Sequence, residues 1–123
     1  MTLSDFIYHQ HLRCRLWIAE LNFFINELRI FHESIEYWEG VKSSAAAQKK
    51  IGHFKNDFET IRREIDELKH ELHLDKMRLA AHTREAEPTI DKKTQAQRDA
   101  DMEQRFGQLS AKFNELRQAF MDF

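Results

Sequence analysis

The residue pair best suited to chemistry is Glu67 and His70, in Glu67-Leu68-Lys69-His70. Glu-x-x-His sets a carboxylate and an imidazole one helical turn apart, the spacing by which di-iron bundles hold a metal from one helix. Such a centre also needs a second Glu-x-x-His pair, and the sequence has none. Heptad placement puts Glu67 and His70 at c and f, turned away from the seam that Leu68 occupies, so the pair reads as solvated. A metal held between subunits would draw on Glu20, Glu27, His53, Glu67 and His70, and this metal-binding, ferritin-like bundle is the alternative reading. His9 with His11, and His70 with His73, sit close enough to chelate, but no third ligand accompanies either pair. They read as surface histidines. His32 lies at a helix edge, and His82 stands in an otherwise apolar slot. The single cysteine, Cys14, falls on an apolar seam and reads as a small buried hydrophobe. Nucleophilic catalysis needs a serine or cysteine beside a base that an acid orients. No Gly-framed serine and no Gly-rich phosphate loop is present. The expectation is a protein without catalytic residues, cofactor or bound metal.

The elements that carry these residues are legible from periodicity. Between Leu12 and Glu39, one apolar series runs Cys14, Trp17, Leu21, Phe24, Leu28, Phe31, Ile35, Trp38. Its steps alternate three and four, the a/d rhythm of a helix packed along a seam. A second series, Leu16, Phe23, Ile30, Tyr37, recurs every seventh residue at c. Ile18 and Ile25 widen the first series on its other side. Together these positions span roughly 200° of the helix, twice the stripe of an ordinary surface helix. Ser4 or Asp5 is the expected N-cap, and Gly40 the expected C′ residue in a left-handed conformation.

A second helix follows a cap at Ser43 or Ser44, with Ile51, Phe54, Phe58, Ile61, Ile65, Leu68 and Leu72 on its seam. It is expected to run to about Ala86, where Pro88 breaks it. A third begins near Thr89 or Thr94, with Thr94 and Gln97 spaced as a capping box. Its seam is Met102, Phe106, Leu109, Phe113, Leu116, Phe120 and Phe123. Folding at the two turns sets Phe24 near Ile61, and Leu109 near Leu68. Two ends then project beyond the shared core. One is a polar hairpin tip, where Asp75, His82, Gln95 and Asp99 occupy seam slots and little apolar area is buried. The other is the first turn, where Ile35 and Trp38 stand past the reach of the third helix.

Composition narrows the function classes. Three glycines and one proline in 123 residues leave room for few turns, which favours a few long helices over a sheet. The net charge of −2, with both signs interleaved, gives no basic face for nucleic acid. The short basic pairs Lys49-Lys50 and Arg62-Arg63 are each followed by acids. Charged residues interrupt every apolar stretch, so no membrane span is expected. The lone cysteine and the absence of a basic, then apolar, leader fit the reducing cytoplasm.

Trp17-Ile-Ala-Glu-Leu-Asn-Phe-Phe24, His53-Phe-Lys-Asn-Asp-Phe58 and Asp66-Glu-Leu-Lys-His70 resemble small uncharacterised all-helical bundle proteins of bacteria. The resemblance is to a group with no activity, cofactor or partner attached. It implies a helical bundle in a bacterial cytoplasm and nothing about mechanism.

The sequence therefore reads as one all-α domain over residues 1–123, an up-down-up three-helix antiparallel bundle with coiled-coil packing. Its helices are expected at about 5–39, 44–86 and 90–122. The expected function is that of a non-enzymatic, self-associating structural or protein-interaction module. Its expected interface, to a second copy or another protein, is Leu16, Phe23, Ile30, Tyr37, Trp38 and Ile35.

Overall fold

The computed structural model describes residues 2–82 and 90–123. Three helices pack against one another: α1 (Leu3–Val41), α2 (Ala45–His82) and α3 (Lys92–Met121). There is no strand among the described residues. Among them, too, no helix is long and apolar enough to cross a membrane.

The caps differ in detail from expectation, each for a local reason. Thr2, not Ser4 or Asp5, is the N-cap of α1. Its hydroxyl accepts the Asp5 N–H at 3.1 Å, and the Asp5 carboxylate accepts the Thr2 N–H at 3.3 Å. Two free backbone donors are thus satisfied reciprocally. α1 continues through Gly40, which keeps negative φ. The chain leaves the helix at Lys42, extended, whose N–H donates to the Trp38 carbonyl at 2.8 Å. Ser44 then caps α2, its hydroxyl accepting the Ala47 N–H at 3.1 Å. At α3 the cap is Asp91, which accepts the Thr94 N–H at 3.1 Å and the Thr94 hydroxyl at 2.6 Å. Thr94 spends its hydroxyl on Asp91, so it does not cap. The expected end of the second helix near Ala86 and the break at Pro88 lie outside the described residues.

The core is aromatic through the middle of the bundle. Phe24 stacks on Phe113 with ring centroids 4.3 Å apart, and Phe31 meets Phe58 at 5.9 Å and Phe120 at 5.0 Å. Leu21, Ile35, Ile65, Leu72 and Phe113 are completely buried. Cross-helix pairs include Phe31 with Phe58 and Cys14 with Asp75, about one turn from the Phe24–Ile61 alignment. On the other side Arg105 pairs with Glu71, and Lys112 with Glu64.

At the first turn, α3 reaches further than expected. Phe120 and Phe123 lie 5.3 and 5.4 Å from Trp38, and Lys42 Nζ donates to the Phe123 carbonyl at 3.3 Å. At the other end Lys92 Nζ lies 5.3 Å from the Phe6 ring, so the first turns of α1 reach the described residues beside the tip. Ile7 continues the α1 seam and is buried, as are Leu79 and Ile90.

Candidate functional site

Two features stand out beyond the apolar core: an exposed apolar stripe on α1, and a buried polar layer beneath its N-terminal third.

The stripe consists of the four c positions. Leu16 is 59% exposed, Phe23 55%, Ile30 48% and Tyr37 66%. Their seven-residue spacing keeps them in one line, because two turns of helix return nearly to the same face. The seam of α1 faces α2 and α3, so this line has no cover among the described residues. Val41, one turn beyond Tyr37, is also exposed. The other two residues expected at an interface lie elsewhere. Ile35 is fully buried, and Trp38 is half-buried against Phe120 and Phe123. The large side chains ending α3 extend its reach past its last helical turn. Ile35 therefore has no surface to offer a second chain.

The polar layer gathers side chains from all three helices around Asp75, which is 5% exposed. The Cys14 thiol donates to Asp75 Oδ2 at 3.6 Å, and Gln95 Nε2 donates to the same oxygen at 3.2 Å. Arg78 donates to both Asp75 and the Gln95 carbonyl oxygen, and Arg98 lies 3.8 Å from the carboxylate. Beside this group, Arg13 Nε stands 3.3 Å from Asp99 as an ion pair without hydrogen-bond alignment, and Arg13 Nη2 is 3.1 Å from Glu103. Gln10 is buried here as well, its carbonyl oxygen without a partner among the described residues.

The charge state of this layer follows from burial. Desolvation, then the Asp75 charge and hydrogen bond, push the Cys14 thiol up to about 12. A thiol held protonated in this way is a poor nucleophile. Burial also raises the Asp99 carboxyl, against the opposing pull of Arg13. Cys14, Asp75, Gln95 and Arg78 bond to one another, whereas Gln10 Oε1 and Arg78 Nε have no partner among the described residues. Asp75 and Gln95, expected from their polar seam slots to lie in a tip that buries little, are instead buried, and Cys14 is buried as expected. The missed signal was the upstream continuation of the α1 heptad through Ile7 and Gln10, which brings a third helix against the described residues beside the tip.

The candidate metal ligands do not converge. Glu67 and His70 line a shallow depression on α2 together with Arg62 and Arg63, whose charges oppose a cation. Glu27 is held by Arg117, Nε at 2.9 Å and Nη2 at 2.7 Å. Glu20 and His53 are exposed. Among the described residues, no three of His, Cys, Asp and Glu come together in a way that could hold an ion.

Comparison of the chain with known protein families, with curated proteins and with solved structures finds no match.

Proposed function

We propose that this protein is a non-enzymatic, self-associating helical bundle of the cytoplasm, built up-down-up, that serves as a structural or protein-interaction module. The observation that carries the proposal is the α1 stripe. Four large apolar side chains, each about half exposed or more, stand in one line on the longest helix. At about 200 Å² per side chain, they leave roughly 450 Å² of exposed apolar surface along one line. That lies within the roughly 300–600 Å² of the largest apolar patch on a typical monomer, a patch that is often functional. A second copy offers the same patch, and two-fold packing closes without leaving an unpaired face. Joining two stripes buries roughly 900 Å², and flanking residues carry the total toward the roughly 1,200 Å² of a small specific interface. A dimer of that size is expected to dissociate in the micromolar range.

The antiparallel course of the helices is supported by the cross-helix pairs. Partner numbers on α2 fall as those on α1 rise, from Cys14–Asp75 to Phe31–Phe58. The non-enzymatic reading is supported by Cys14, which is buried and held as a thiol.

Phe23→Glu with Ile30→Glu tests the proposal by sedimentation velocity and circular dichroism. Both positions are exposed, so the expected result is a variant with wild-type helicity that stays monomeric where the wild type dimerises. Unchanged association of this variant would refute the role of the stripe.

A further inference from the structure

The outer surface of α1 has a second regularity. On one side of the stripe lie Arg15, Asn22, Arg29 and Glu36, all exposed and again seven residues apart. Between that row and the stripe lie the smaller Ala19 and Asn26, then Glu33. Read from either end about a centre near Asn26, these rows complement themselves.

We propose that the occupant of this face is a second copy of the chain, with its α1 antiparallel to the first and the two-fold axis beside Asn26. The proposal rests on the self-association reading above and adds orientation and register to it. With this axis, Phe23 packs on the partner's Ile30 and Leu16 on the partner's Tyr37, so every member of the stripe meets another. Arg15 falls within one turn of the partner's Glu36, and symmetry makes that contact twice. His32 Nε2 lies 3.2 Å from Glu36 Oε1, leaving Oε2 for the arginine. Ala19 is small where the partner's Glu33 must lie alongside. The one like-charged approach is Glu27 to the partner's Glu27, and each is already neutralised by two hydrogen bonds from Arg117 of its own chain.

A parallel two-fold pair lays this row against the opposite flank of the partner's stripe, where Glu20, Glu27 and Ser34 stand, and sets Arg15 far from the partner's Glu36. The apolar stripe supports either direction, and the twofold Arg15–Glu36 contact belongs to the antiparallel pair alone.

Charge reversal tests the orientation by sedimentation equilibrium at low salt. Arg15→Glu alone and Glu36→Arg alone each turn two attractions into two repulsions, and are expected to raise Kd roughly tenfold. The double variant Arg15→Glu/Glu36→Arg re-forms the pair in reverse and should return Kd to within about twofold of wild type. Single variants without effect, or a double variant without rescue, would overturn the antiparallel register while leaving self-association standing. A wild type that never dimerises would instead overturn the self-association reading itself. As a second readout, a nitroxide on Ala19→Cys should lie about 25 Å from its copy in the antiparallel pair, against about 10 Å in a parallel one. The native Cys14 is buried and does not compete for the label. The shorter distance would overturn the proposal.

Discussion

Replacing Asp75 by alanine tests whether the polar layer is sealed from water. The carboxylate accepts from Gln95, Cys14 and Arg78. Removing it strands these donors unequally. Gln95 is completely buried, and its Nε2 would lose its acceptor. An unsatisfied buried donor of this kind costs about 1–3 kcal/mol. The thiol is a weak donor and adds little. Arg78 keeps a side chain 36% exposed and can turn to solvent, so its loss adds about 0–1 kcal/mol. The expected destabilisation is about 1–4 kcal/mol, read as a lower urea midpoint at unchanged m-value. Gln95→Leu alone should also destabilise, by leaving Asp75 short of a donor. Asp75→Leu with Gln95→Leu should cost clearly less than the two single changes together, because replacing both partners by apolar groups leaves neither unsatisfied. A cost below about 0.5 kcal/mol for Asp75→Ala would show that water reaches the layer. The cover supplied by Ile7 and Gln10 would then be looser than described.

Two further outcomes follow from the same packing. Phe113→Ala removes a fully buried ring stacked on Phe24 and should cost about 3–5 kcal/mol, whereas His70→Ala, on the exposed face of α2, should change the thermal midpoint little. Burial and the Asp75 carboxylate push the Cys14 thiol from an ordinary 9.0 up to about 12, so at neutral pH its thiolate is strongly depleted and disulfide-exchange labelling of the native protein should be very slow. Because that folded value is raised, the associated stability is present below pH 9 and lost as pH rises toward 12; a difference in this alkaline decline between wild type and Cys14→Ala checks the sign.

Much of this structure is legible in the residue pattern. The a/d series from Cys14 to Ile35 names the positions that face the core, since a three-four rhythm admits one buried face. The c series names the exposed stripe for the same reason. Pairing between distant residues is what periodicity omits. Asp75 and Gln95 occupy seam slots as polar residues, and taken singly each implies a wet site. Together they satisfy one another, with Cys14 and Arg78, and can be buried. The heptad also says nothing about reach. Phe120 and Phe123 extend α3 past its backbone by the length of a ring, enough to cover Trp38. Gly40 illustrates a third limit. Its freedom to adopt positive φ goes unused because the Lys42 N–H already satisfies the Trp38 carbonyl.

Self-association through α1 is tested most directly by the molar mass of the wild-type chain, measured by light scattering from about 1 µM to a few hundred µM, a range that brackets the weak affinity expected of an interface this small. A mass that climbs from the 14.8 kDa of one chain toward twice that value is the expected result. A constant 14.8 kDa across the whole range would contradict it.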